Sequence, residues 1–391
     1  MDIDRSGDGD IAGYGNGRSR TDHQELPRIP APKDEHTRGW DQRICRLKYL
    51  PRLCLNPLFF LALVCAGCAT APRWPATLNA IQRRQIATRP LRVRPWSTGP
   101  AQGVVLCSRH YRVYTTIRDP LQRRLILQVL EAAYAHFMRL VAGTGRIKPL
   151  IGYVFRNRRQ WAAFTHRTAG RATAIYLHIE SGGYERQGVF VVWRTTLPEV
   201  LSVIAHEAWH QLSFMALKDH LPAWLDEGLA TQNEAITWRQ GQPHFTPFRN
   251  AARWSVLRLA LAQRRLIPLQ GLVRTQAGAV ILESSSDVQI YYAEVWSLML
   301  YVTHSRYRGA LLKLLQAARR GQLTPLLLRA GLTRQEIRGL TVRWNHRAGP
   351  LLFTTYFSPH FAPLQHRYLA FIRRLTSSWP PPGQRFRRAG R

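Results

Sequence analysis

The run Val203-Ile204-Ala205-His206-Glu207-Ala208-Trp209-His210-Gln211, followed by Pro222-Ala223-Trp224-Leu225-Asp226-Glu227-Gly228-Leu229-Ala230, decides how the rest of the chain is read. The first run carries H-E-x-x-H. In a helix, residues four apart lie on one face about one turn apart, so His206 and His210 can turn their imidazoles toward one ion. Glu207, between them, is placed to act on a water at the metal rather than on the metal itself. A second helix holding Glu227 can supply a third ligand and leave one coordination position open. That layout belongs to a catalytic rather than a structural zinc site.

H-E-x-x-H is short, and its bland reading is two surface histidines on an amphipathic helix. The surroundings argue against that. Val200, Leu201, Val203, Ile204, Ala208 and Leu212 give an apolar, helix-periodic setting, as a buried helix requires. Thr196 and Glu199 form a T-x-x-E capping box, and Pro198 falls in the first turn, where proline is tolerated.

With W-L-x-E-G-x-A following H-E-x-x-H after a short connection, the chain resembles the gluzincin metallopeptidases, and among them the peptidase-MA-like domains. The resemblance covers roughly residues 147 to 305. It implies an α+β, zincin-like fold: a small mixed sheet packed on the active-site helix, followed by a mostly helical C-terminal subdomain. It implies one Zn2+, held by His206, His210 and Glu227, with Glu207 as the general base. A further acid seven positions beyond the third ligand, Glu234, is expected to support a ligand from behind. The family's Y-x-x-x-W stretch is similar to Tyr292-Ala293-Glu294-Val295-Trp296, which makes Tyr292, with Tyr291 beside it, the candidate to assist the oxyanion. Asp226, just before the ligand Glu, is expected to orient neighbouring groups rather than bind metal. In zincin folds the strand before the active-site helix rims the cleft and pairs with extended substrate. Val189–Trp193 is the candidate, with an edge covered by its own chain as the equal alternative.

Charge is the other strong feature. Lysine and arginine outnumber aspartate and glutamate 56 to 23, a formal net charge of +33. Such a charge attracts nucleic acid, anionic headgroups or acidic envelope polymers. The arginines are scattered and form no compact nucleic-acid motif, so no specific nucleic-acid partner is expected. The acids are more informative. Six of the 14 beyond residue 67 fall between Glu199 and Glu234, around the proposed metal.

Residues 1–42 read as a disordered or non-native extension, rich in Gly, Asp, Arg and Pro. A basic stretch with Arg43, Arg46, Lys48 and Arg52, then the apolar Leu58–Val64 and Ala66-Gly67-Cys68, resembles a bacterial lipoprotein signal over residues 43–67. The resemblance makes Cys68 the lipidated first residue, anchoring the chain to a membrane of the cell envelope and facing the periplasm or exterior. Cys65 stands where that family usually has Leu, and Ala69-Thr70-Ala71 offers a competing cleavage site. The five cysteines, at 45, 54, 65, 68 and 107, supply no disulfide framework to the mature part.

Residues 68–100, with five prolines after residue 71, read as a tether. Residues 101–245 are expected to form the upper subdomain carrying both zinc helices, 246–376 a helical lower subdomain, and 377–391 a disordered basic tail. Strands are expected at Val104–Leu106, Tyr111–Thr115, Leu150–Phe155, Ile175–Ile179 and Val189–Trp193. Helices are expected from Asp119-Pro120 to about Val141 and over Asn157–Thr165. Beyond Glu234 they are expected at Pro247–Arg264, Tyr291–Thr303, Tyr307–Arg319, Thr333–Leu340 and Leu364–Leu375, with a loop over 266–289. His178 and His220 read as ordinary polar residues, and Trp209 and Trp224 as core.

Two functions of different class follow. One is an envelope-anchored zinc metallopeptidase acting on peptide or protein substrates. No G-x-M-E-N run, which grips a free N-terminus in gluzincin aminopeptidases, is present, so endopeptidase action is preferred. The other is a non-catalytic zincin-fold lipoprotein acting in binding or envelope assembly. Intact Glu207 favours the first.

Overall fold

The computed structural model describes Ile86 and residues 91–377, apart from residues 100, 142–148, 171–172, 178–181, 194–195, 276–284 and 340–341. The extension, the leader, Cys68, His178 and all but the first residue of the tail lie outside the described residues. The architecture is α+β, a six-stranded mixed sheet with helices on it, leading into a helical C-terminal region.

The sheet is built from β1 (Arg92–Thr98), β2 (Ala101–Cys107), β3 (Tyr111–Thr115), β4 (Leu150–Phe155), β5 (Gly182–Arg186) and β6 (Val189–Trp193). Their order is β1-β2-β3-β4-β6-β5, with β3, β4 and β6 parallel and the outer pairs antiparallel. Alternation sorts the side chains. Tyr111, Val113, Leu150, Val154, Phe190 and Val192 face the main core. Tyr153, Phe155, Tyr184, Val189 and Val191 face a smaller core with Trp161 and Phe164 of α2 (Arg158–Thr168). Between β3 and β4 runs α1 (Pro120–Leu140), where Asp119 caps the helix by accepting from Leu121 N at 2.8 Å.

Three expectations about the sheet change. The tether segment joins it: β1 occupies residues 92–98, and Pro95 is accommodated because β1 is an edge strand with no neighbour on its far side among the described residues. The β-branched and aromatic run at Ile175-Tyr176 is part of the short helix α3 (Thr173–Leu177) rather than a strand, and the strand begins instead at the glycine pair Gly182-Gly183. Consequently Val189–Trp193 is not the rim. It lies inside the sheet, and β5 takes the edge.

The central helix is α4 (Leu197–Ala216). Glu199 reaches back to Thr196 N at 3.1 Å, the box read from the sequence. Its buried face, which includes Val200, Leu201, Ile204, Ala208 and Leu212, packs on α1 and on the β5–β6 end of the sheet. Next comes α5 (Ala223–Thr231), then a hairpin of β7 (Ile236–Arg239) and β8 (Gln242–Phe245) that the sequence pattern did not suggest. After a short 3-10 turn at Pro247–Arg249 the chain is helical: α6 (Ala251–Ala262), α7 (Leu269–Leu272), α8 (Ser285–Thr303), α9 (Arg308–Arg320), α10 (Leu323–Arg329), α11 (Arg334–Gly339), α12 (Val342–Tyr356) and α13 (Phe361–Thr376). Helices α10 and α12 were not expected, the latter because Gly349 and Pro350 stand inside it, and α8 begins at Ser285, within the segment 266–289 expected as a loop with short turns. Among the described residues no helix is long and apolar enough to cross a membrane.

Candidate metal centre

His206 and His210 lie on consecutive turns of α4, and Glu227 is in the second turn of α5. Local sequence and one distant contact hold α5 in place. Its N-terminal Pro222 provides no side-chain cap, and Asn345 of α12 supplies one by accepting from Ala223 N at 2.7 Å. Trp224 is buried against Phe353 and Phe357, its ring centroid 5.4 and 5.7 Å from theirs. Gly228, directly after Glu227, allows α5 to lie against α8: a Cβ there would come within 2.6 Å of Met299 Cγ and 3.0 Å of Val295 O.

The result is a tight triangle. His206 Nε2 lies 3.2 Å from His210 Nε2, and Glu227 Oε2 lies 3.3 and 3.4 Å from these two nitrogens. Each imidazole is held from behind through Nδ1. His206 Nδ1 meets Glu234 Oε1 at 3.0 Å, and His210 Nδ1 meets Asp226 Oδ2 at 3.0 Å. An ionised carboxylate only accepts, so Nδ1 carries a proton in both rings, and with a cation bound between them each Nε2 would present its lone pair. Asp226 is fixed in turn by Trp209 Nε1, which donates at 2.8 Å, and by Ser213 Oγ at 3.3 Å. Trp209 is thus a core residue with a second duty.

Three acceptors cannot sit this close without positive charge among them, and Glu227 Oε2 is buried with no hydrogen-bond partner. The electrostatics agree. Burial alone lowers the imidazoles, yet Glu227 and Glu234 raise His206 to about 9, and Asp226 and Glu227 raise His210 well above its ordinary value. Burial raises Glu227, but His210 and His206 more than reverse this and hold it far below the carboxylate range. A pocket so avid for a proton is equally suited to a cation. Two imidazole nitrogens and one carboxylate oxygen form a donor set that could hold a metal ion.

The triangle opens into a cavity of about 530 Å³ that Glu207, Tyr292, Glu185 and His220 also line. Burial raises the Glu207 carboxyl, with the two imidazoles opposing it. Burial, reinforced by Glu227, raises the Tyr292 phenol well above its usual value, so it stays a hydrogen-bond donor at neutral pH. Its ring centroid is 6.1 Å from that of His206. Tyr291, the neighbouring candidate, turns away: it is fully buried, and its hydroxyl donates to Thr275 O at 3.3 Å.

Four participants were not anticipated. Gly183 on β5 lies against α4, where a Cβ would stand 3.3 Å from Glu207 Cγ and 2.5 Å from Val192 Cγ2. Glu185, next on the same face of β5, is pushed up to about 7 by burial, against the Gly188 N–H and His210. Asn250 and Arg253 both bind Glu234. The signal for Asn250 was readable as a helix cap, since it accepts from Arg253 N at 3.2 Å. Its reach to Glu234 depends on a hairpin that was not. No family model, no curated protein and no solved structure matches the chain.

Proposed function

We propose that the chain is a zinc-dependent metallopeptidase of the gluzincin kind, with a zincin-like fold around α4 and α5, acting as an endopeptidase on peptide or protein substrates. The observation that carries this reading is the triangle of His206 Nε2, His210 Nε2 and Glu227 Oε2, with sides of 3.2, 3.3 and 3.4 Å. Tetrahedral zinc with bonds of about 2.0–2.1 Å separates its ligands by roughly 3.3–3.4 Å. The donor chemistry, N, N and O with a cavity beside it, suits a site with one position open.

Zinc held there supplies Lewis acidity, making a water acidic near neutral pH and polarising a carbonyl. The chain's own groups do the rest. Glu207, in the same cavity, takes the proton of the attacking water and passes it to the leaving amine, and its raised carboxyl is suited to both steps. The Tyr292 hydroxyl donates to the carbonyl oxygen as charge develops on it. The edge of β5, which pairs with no further strand among the described residues, offers main-chain groups along the cavity, against which an extended substrate can lie. In the same reading the mature chain is tethered through Cys68 to an envelope membrane and faces the periplasm or exterior.

The test is metal analysis of the purified chain together with cleavage of an unfolded protein, with and without chelator. Wild type is expected to bind one zinc and to cleave, and Glu207→Gln to bind zinc while losing about 10²–10⁴-fold in rate. Zinc binding without cleavage by wild type would point to the non-catalytic lipoprotein instead.

A further inference from the structure

Glu234 stands behind His206, and something must hold Glu234. The chain does this by geometry. The β7–β8 hairpin carries it out from Glu234 and back, so that the first turn of α6 arrives beside the carboxylate. Asn250, at the cap of α6, donates to Glu234 Oε2 at 2.8 Å. Arg253, three residues on, closes a two-pronged contact: Nε to Oε2 at 2.9 Å and Nη2 to Oε1 at 2.7 Å. Its side chain is only 16% exposed.

The same guanidinium also grips α8. Its third nitrogen, Nη1, donates to Gln289 Oε1 at 3.2 Å. Its Cζ lies 4.9 Å from the centroid of the Tyr292 ring, a cation–π distance. Gln289 and Tyr292 are three apart on α8 and share a face. A closed ring of contacts therefore runs from His206 to Glu234, to Arg253, to Tyr292 and back to His206.

We propose that Arg253 is the positioning residue that locks His206 to Tyr292, so that the orientation of the metal ligand and of the phenol beside it are set by one planar guanidinium. This rests on the metallopeptidase reading of the centre. Without Arg253, Glu234 would keep single bonds to Asn250 and His206, one on each oxygen, whereas the forked contact of a planar guanidinium also fixes the carboxylate plane and so the direction of the His206 ring. Lysine would keep the charge and the ring contact while losing the fork and Gln289, so the two residues are not interchangeable here.

The test uses the full chain loaded with cobalt(II), whose visible absorption reports ligand geometry, alongside chelator competition and thermal unfolding without metal. Arg253→Met is expected to weaken cobalt affinity about 10–100-fold and to change the absorption bands. Arg253→Lys is expected to fall between it and wild type. In peptide cleavage the loss should appear in kcat more than in KM. A folded Arg253→Met chain with wild-type bands and an affinity within about twofold of wild type overturns the proposal, because a purely structural arginine would lower only the unfolding temperature. If Arg253→Met does not fold, Arg253→Lys decides by the same criterion. Wild type that takes up cobalt but cleaves nothing removes the peptidase reading while leaving this test intact. Wild type that takes up no cobalt removes both.

Discussion

At the scale of single residues, the proposed function separates groups that would hold a metal from groups that would react. Asp226 touches His210, Trp209 and Ser213 and lies outside the triangle of ligand atoms. Asp226→Asn should therefore keep the fold and lower metal affinity about 10–100-fold, read by chelator competition. The two adjacent tyrosines give a sharper contrast. Tyr292→Phe is expected to cost about 10²–10³ in kcat with metal content unchanged, since it removes a donor to developing charge. Tyr291→Phe removes only the bond to Thr275 O and should cost about 1 kcal/mol of stability with cleavage kept. Equal loss in both variants would contradict the placement. His206, His210, Glu207 and Glu227 were legible in the sequence because their spacing is a property of one helix and its successor. Arg253 was not, because nothing local to it points at Glu234.

At the scale of elements, α4 could be read because capping, periodicity and the apolar setting all agreed, and α5 because the W-L-x-E-G-x-A run follows α4 after a short connection. The edge of the sheet could not. The zincin resemblance puts the strand just before the H-E-x-x-H helix, Val189–Trp193, at the cleft, whereas Gly182–Arg186 with two glycines looks like a turn. The glycines have a packing cause: a side chain at Gly183 would collide with Val192 and crowd Glu207. A run buried on both faces is apolar because it is central, and an edge strand is under no such demand. Gly183→Ala is thus expected to force β5 outward, costing about 1–3 kcal/mol in stability. Cleavage should fall while metal affinity, set by α4 and α5, changes little. Cleavage kinetics with chelator competition on the same preparation checks both. Unimpaired cleavage would show that β5 does not shape the cleft.

At the scale of the whole molecule, the helical C-terminal region completes the centre: Arg253 and Tyr292 come from α6 and α8, and Asn345 of α12 caps the helix bearing Glu227. This could not be foreseen from a helix interrupted by Pro350, since it depends on the path of the chain over more than a hundred residues. The same region contains Glu294, fully buried on α8, whose Oε1 accepts from Ile267 N at 2.7 Å and whose Oε2 has no partner. Burial raises this carboxyl to about 8 from its ordinary 4.5. In the unfolded chain it gives up its proton near pH 4.5, and in the folded chain only near 8, so it lowers stability progressively across that window. Wild type should lose stability relative to Glu294→Gln between pH 5 and pH 8, by a few kcal/mol at most, as measured by denaturant unfolding at a series of pH values. Parallel curves would mean that the carboxyl titrates normally.

The uneven placement of acids has a kinetic consequence. A divalent ion diffusing toward a chain of net charge +33 is repelled at long range and attracted only in the last few ångströms, where Asp226, Glu227 and Glu234 cluster. Added salt screens the distant repulsion, whose range shrinks to about 10 Å at 0.1 M, but reaches the enclosed carboxylates far less. Metal uptake should accordingly speed up with ionic strength, whereas release hardly changes. That is the opposite of the usual behaviour of a cation entering an acidic protein.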